Sequence, residues 1–265
     1  YISSPDQHVI RKVDTNGKIT TFAGTGGRAF DGDGDLATKA LFNGPHGLAF
    51  DASGNLYVAD RGNHAVRKID TNGIITTVAG GNNSGFSGDG GAATSAQIRE
   101  PYDVVFDAAG NMYISSYRRI RKVDTSGIIS TIAGDGGETY TEGVLATSAS
   151  IQDPAHMVFD KSGKLYFADF KRHVVNVIDT DGKIYTVYGV GEESGTSSDD
   201  PKRLNTPFGV AYHNWKVDAR NEDEELLYIM DYHNHVIIQL QLPSGGSTNA
   251  QRYTEAEILW GSEGD

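Results

Sequence analysis

The stretch that decides the fold runs from Pro45 to Gly80. It opens with Pro45-His46-Gly47-Leu48-Ala49-Phe50-Asp51, a short apolar run behind a proline. In Ala52-Ser53-Gly54-Asn55, glycine tolerates positive φ and asparagine the left-handed region, so a turn is expected. Leu56-Tyr57-Val58-Ala59-Asp60 reads as a second strand, Arg61-Gly62-Asn63 as a second turn, and His64-Ala65-Val66-Arg67-Lys68-Ile69-Asp70 as a third strand. Thr71-Asn72-Gly73 carries a tight hairpin signal. Ile74-Ile75-Thr76-Thr77-Val78-Ala79-Gly80 then supplies a fourth strand. β-Branched residues dominate, and turn signals follow one another at the close spacing of an all-β protein.

The same phrase returns along the chain. Its second strand recurs as Tyr1-Ile2-Ser3-Ser4, Met112-Tyr113-Ile114-Ser115-Ser116, Leu165-Tyr166-Phe167-Ala168-Asp169 and Leu227-Tyr228-Ile229-Met230-Asp231. The aligned tyrosines are 56, 56, 53 and 62 residues apart, a period that marks a row of similar supersecondary units. Full repeats are expected at residues 45–80, 101–134, 154–189 and, more loosely, 207–261. Residues 1–24 hold a partial repeat with three strands, and Asn214 to Glu225 lengthen the first turn of the last repeat. Each strand carries apolar residues on both faces, Val66 on one and Ile69 on the other. A lone four-stranded sheet cannot bury two faces, whereas sheets stacked face to face around a ring can. The predicted fold is therefore an all-β propeller of four-stranded antiparallel blades, four full blades plus a partial one, in a single domain spanning residues 1–265.

Composition narrows the function. Thirty-five acidic residues against 23 Lys and Arg give a net charge of −12, with no basic block for a polyphosphate, so nucleic acid and anionic membrane are disfavoured partners. The absence of cysteine removes disulfides, thiolate metal sites and cysteine nucleophiles. No apolar run approaches the ~18 residues needed to span a bilayer, so direct membrane insertion is not expected. The sequence starts inside a repeat, which suggests one module of a larger chain or assembly.

Quoted together, Pro45-His46-Gly47-Leu48-Ala49-Phe50-Asp51, Gly54-Asn55-Leu56-Tyr57-Val58-Ala59-Asp60, Asn63-His64-Ala65-Val66-Arg67-Lys68-Ile69-Asp70 and Gly73-Ile74-Ile75-Thr76-Thr77-Val78-Ala79-Gly80 resemble the NHL repeat, whose name is taken from the Asn-His that stands here as Asn63-His64. The resemblance is close from residue 1 to about 189 and looser from 207 to 261. It implies a propeller of five or six blades, of the bacterial and extracellular type, acting as a rigid platform for proteins, peptides or glycans. Five blades would need an innermost strand from elsewhere, and six would need more chain. Some propellers similar to NHL domains are enzymes, a histidine-metal amidating lyase and calcium-dependent gluconolactonase-like proteins among them. A metal-dependent lyase or hydrolase is therefore the alternative reading, with His46, His156 and Asp103 matching part of such a set.

The candidate residues divide into those the repeat shares and those it does not. His8, His64, His173 and His235 occupy one position in four repeats and read as turn histidines bonded to nearby backbone. The pairs Arg11-Lys12, Arg67-Lys68 and Arg121-Lys122 read as solvated or inter-blade groups. Asp31, Asp33 and Asp35 alternate in a glycine-rich loop as calcium ligands would. The helix-loop calcium pattern nevertheless fails at Leu36 and Phe42, which leaves a weak calcium site there as a secondary expectation and no other cofactor. Function is better sought where the copies differ. After each proline stand His46, Tyr102-Asp103, His156 and Phe208. At the far end of the second strand stand Ser116-Tyr117, Phe170 and Tyr232-His233. These form a rim rich in aromatic and imidazole groups, suited to a protein, peptide or glycan. Asn82-Asn83-Ser84 is a glycosylation sequon. A non-catalytic binding or structural module of an extracellular or cell-surface protein is the expectation.

Overall fold

The computed structural model describes residues 1–191, 203–216, 223–242 and 256–260. Its strands fall in chain order into five sheets. The first holds β1 (Ile2–Ser4), β2 (Val9–Val13) and β3 (Ile19–Ala23). The second holds β4 (Pro45–Phe50), β5 (Leu56–Asp60), β6 (Ala65–Ile69) and β7 (Ile75–Gly80). The third holds β8 (Asp103–Phe106), β9 (Met112–Ser116), β10 (Arg119–Val123) and β11 (Ile129–Ala133). The fourth holds β12 (Pro154–Phe159), β13 (Leu165–Asp169), β14 (Val174–Ile178) and β15 (Ile184–Tyr188). The fifth holds β16 (Pro207–Lys216), β17 (Asp223–Asp231), β18 (Val236–Gln241) and β19 (Ala256–Trp260).

Sequential strands pair antiparallel in each sheet, and the three-stranded first sheet matches the partial repeat read at residues 1–24. The fold is a β-propeller of four-stranded antiparallel blades. By its internal contacts the chain forms two compact units, Tyr1–Thr131 and Ile132–Asp265. In the fifth sheet the insertion expected to lengthen a turn instead lengthens two strands. The β16–β17 ladder continues through Asn214 opposite Glu225 to Lys216 opposite Asp223. Gly261, read as the end of the last repeat, lies outside the described residues.

The two-faced strands are the reason the sheets stack. Val66, on one face of β6, joins a core with Val104, Met112, Ile114 and Ile129 of the third sheet. Ile69, on the opposite face, joins Ile10, Phe42, Leu56, Val58 and Ile75. In the second unit Val175 and Val177 pack with Leu227, Ile229, Ile238 and Leu240 of the fifth sheet. Each such side chain, taken fully out of water, contributes about 1.5–3 kcal/mol before the entropy of ordering is counted.

The repeated tyrosine belongs to the scaffold. Tyr113 donates to Asp107 at 3.1 Å, while Asp107 accepts the amide of Asn111 at 2.8 Å and its side-chain NH2 at 2.7 Å. The same Asp–Asn clasp closes the first hairpin of the second sheet at Asp51 and Asn55. Burial, with the Asp51 charge beside it, pushes the Tyr57 phenol up to about 12.

Candidate functional site

In the second sheet, Asp60 ends β5 fully buried. It accepts the backbone N–H of Asn43 at 2.8 Å and the Asn63 side chain at 2.8 Å. The counterparts Asp169 and Asp231 do the same work: Gln152 and Asp153 donate to Asp169, and Asn205 to Asp231. Burial raises all three carboxyls, Asp169 to about 6. Ser116 occupies this place in the third sheet and turns back to the Arg119 carbonyl at 3.3 Å.

The repeated histidines all hold left-handed backbone, with φ of 55° at His8, His64 and His235 and 58° at His173. Nδ1 of His8 accepts from the amide of Gly44, that of His64 from Glu100, and that of His173 from Thr206, at 2.9–3.1 Å. Each imidazole therefore ties its turn to the chain that enters the following sheet. Burial holds the His64 and His173 imidazoles below the usual histidine range.

Of the two readings of the Arg-Lys pairs, the inter-blade one fits Arg67 and Arg121 and the solvated one does not. Arg67 and Arg121 are not solvated: they are 0% and 1% exposed. A register shift in the β6–β7 ladder between Val66 and Arg67 is the kind of bulge that re-aims a side chain. Arg67 donates to Asp33 at 2.7 Å and to the Asp31 carbonyl at 3.1 Å, and stacks 4.9 Å from the Phe30 ring centre. Arg121 repeats this with Asp89 at 2.6 Å and Phe86 at 4.8 Å. The other carboxylate oxygen of Asp33 accepts from Thr77 N–H, and that of Asp89 from Thr131 N–H. Of the residues weighed as calcium ligands, Asp33 is thus held by a guanidinium. Asp31 accepts from Gly32 N–H at 2.7 Å, and Asp35 from Leu36 N–H at 2.7 Å and from Lys39. The three carboxylates turn to separate partners. Among the described residues no group of three or more His, Asp or Glu is placed to hold a metal ion.

The rim residues lie in two groups. In the first unit the His46 and Tyr102 rings meet edge-on at 5.7 Å. Arg61 lies 4.5 Å over the Tyr102 ring, donates to its hydroxyl at 2.9 Å and pairs with Glu100. Gly47 donates to the Tyr102 carbonyl at 2.8 Å, and a Cβ there would strike the Asp103 side chain and backbone. The neighbouring strand comes so close that only glycine fits at position 47. Asp103 itself is buried, its amide donating to Ser115 Oγ at 2.9 Å. Tyr117 lies under Arg99 at 3.9 Å. In the second unit Phe208 packs against His156 at 5.3 Å and Phe170 at 6.0 Å. Tyr232 and His233 stack at 5.0 Å, and His233 Nδ1 lies 2.9 Å from Thr206 Oγ1. Tyr232 is 56% exposed, whereas Tyr102 is 8% exposed. Asn82 is exposed in left-handed backbone.

One feature escaped the sequence reading. Asn176 stands where Arg67 stands in the second sheet, and Arg172 stands where Asn63 does. Glu142 takes the part of Asp33, accepting from Thr186 N–H at 3.0 Å. The Asn176 carbonyl oxygen accepts from Tyr140 at 3.2 Å and Thr186 at 3.1 Å, and Arg172 lies 4.6 Å over the Tyr140 ring. The signal was legible as an exchange of Asn and Arg four residues apart between two aligned repeats.

A family model described as the NHL repeat matches residues 42–69, and one described as the Teneurin NHL domain matches residues 83–142. The chain is 29% identical over 198 residues to Teneurin-3 of Danio rerio, covering 67% of this chain and 7% of that protein. It is 26% identical over 273 residues to NHL repeat-containing protein 2 of Homo sapiens, covering 89% of this chain and 36% of that protein. The chain thus spans well under half the length of these curated relatives. Among solved structures, an auxiliary nutrient binding protein from Bacteroides ovatus ATCC 8483 superposes with a TM-score of 0.57 at 18% identity, covering 88% of this chain and 58% of that one. Repeat phrase, blade architecture and family models agree: the chain is a β-propeller that carries NHL-repeat sequence and is similar to NHL-repeat and teneurin proteins.

Proposed function

We propose that the chain is a non-catalytic binding or scaffold module that holds a protein, peptide or glycan partner through its aromatic strand ends, within a larger extracellular or cell-surface protein. The observation that carries this reading is the commitment of the repeated acids and bases to structure. His8, His64 and His173 use Nδ1 for backbone N–H groups, and Asp60, Asp169 and Asp231 do so with their carboxylates. The rim offers aromatic and cationic groups instead: half-buried Arg61 and His46 around the buried Tyr102 ring in one unit, and half-buried His156, Phe170 and Phe208 in the other. Aromatic and arginine side chains on rigid strands are the chemistry of interface anchors. The net charge of −12 argues against nucleic acid. No helix among the described residues is long and apolar enough to cross a membrane.

The test is metal analysis of the purified chain together with peptide and glycan arrays probed with Tyr102→Ala and Phe208→Ala. Array binding that either substitution abolishes, with no stoichiometric metal, supports the proposal. A transition metal held by His46 or His156 overturns it in favour of a metal-dependent lyase or hydrolase. The same analysis covers calcium at Asp31, Asp33 and Asp35. Expression through a secretory route with mass spectrometry of Asn82 tests the compartment: a sugar there fits the extracellular assignment.

A further inference from the structure

Where the second sheet has Asn63 and Arg67, the fourth has Arg172 and Asn176. A cleft of about 220 Å³ opens in the second unit, lined by Tyr140, Glu142, Arg172, Val174, Thr186 and Val190 with two glycines. Its room equals that of roughly seven liquid waters at ~30 Å³ each, enough for one sugar-sized group and no polymer stretch. In the second sheet the corresponding strand position carries Arg67, whose guanidinium reaches Asp33. Asn176 is far shorter, and Arg172 approaches Tyr140 from the turn instead. The Asn176 side chain is 0% exposed, and among the described residues its Nδ2 has no hydrogen-bond partner.

We propose that this cleft binds a single neutral, hydroxyl-rich group of the kind presented by a terminal sugar. Charge decides against ions. Glu142 faces the cleft with Arg172, and buried Asp169 lies close enough to Arg172 to feel its charge, so no net positive site exists for an anion. The Arg172 guanidinium in turn repels a cation. What remains is a lining that both donates and accepts: two hydroxyls from Tyr140 and Thr186, the Glu142 carboxylate and the Arg172 guanidinium. A sugar hydroxyl also does both, and Val174 and Val190 offer apolar contact to its C–H face. The site is separate from the aromatic rim and does not rest on the rim's partner.

The experiment titrates the full chain with the methyl glycosides of glucose, galactose, mannose and N-acetylglucosamine, and with glycine and alanine as zwitterionic controls. Backbone amide shifts are followed by NMR. Saturable shifts at Tyr140, Arg172 and Thr186 with at least one glycoside are expected, with affinity reduced about tenfold or more in Glu142→Gln. Val190→Trp, a change at a half-exposed surface position, blocks the cleft without touching its polar network and abolishes the shifts. Absence of shifts with every glycoside, response to the amino acids alone, or unchanged binding in Val190→Trp overturns the proposal.

Discussion

The second and fourth sheets are built from the same phrase and solve one problem in opposite ways. Both must satisfy a buried aspartate at the end of the second strand, Asp60 or Asp169, beside a carboxylate brought in by the preceding loop, Asp33 or Glu142. The second sheet sends a guanidinium from the strand, and Arg67 fills the space between them. The fourth sends it from the turn, and a cleft lined by Arg172 opens there. A repeat therefore conserves its charge balance more tightly than its packing. Where the same charges arrive by another route, the volume left over becomes available for a ligand.

The largest effect that sharpens this contrast is expected from Arg67→Ala. It strips a fully buried guanidinium from Asp33 and Asp60 and should lower stability by about 3 kcal/mol in urea denaturation, whereas Asn176→Ala should cost less than about 1 kcal/mol. Equal losses would mean that the two positions do the same work. Next comes the exchange itself. Asn176→Arg alone places a second guanidinium beside Arg172 and should cost about 2 kcal/mol, but adding Arg172→Asn recreates the second sheet's arrangement and should recover most of it. Strict additivity in that cycle breaks the comparison.

A pH effect follows in size. Burial holds the Asp169 proton to about pH 6 against an ordinary value of 3.8. The native chain then binds a proton that the unfolded chain has released, so this residue's contribution to stability falls as pH rises through that window, by a figure on the order of 2 kcal/mol. Thermal melts from pH 4 to 7 should show a shallower slope in Asp169→Asn. An unchanged slope would show that Asp169 ionises normally. The smallest difference is between the loop carboxylates. Asp33→Asn should cost about 1 kcal/mol because it faces a buried arginine, and Glu142→Gln less than about 0.5 kcal/mol by the same denaturation assay.

Much of this was legible in the sequence. The spacing of Tyr1, Tyr57, Tyr113, Tyr166 and Tyr228 and the two-faced strands required stacked blades, because period and burial are local properties of a repeat. For Arg67 the sequence left solvated and inter-blade readings open: an arginine beside a lysine in a strand fits either until the loop carrying Asp33 is placed over it. The lengthened β16–β17 ladder was missed for a related reason, since polar residues such as Asn214 and Glu225 read as turn rather than strand. The cleft required the comparison of two repeats, because an Asn and an Arg exchanged four residues apart leave composition unchanged.

The histidine turns carry one more consequence. Each hydrogen-bonds forward, His8 to Gly44 and His64 to Glu100 in one unit, His173 to Thr206 in the other. The second and third sheets in one unit and the fifth in the other are thus each clasped at their entry by the sheet before, and within each unit the repeat behaves like a row of links with nearest-neighbour coupling. Damage at one clasp loosens the next entry and then dies away. A repeat of this kind can vary a single blade, as it has done at Arg172 and Asn176, without renegotiating the others.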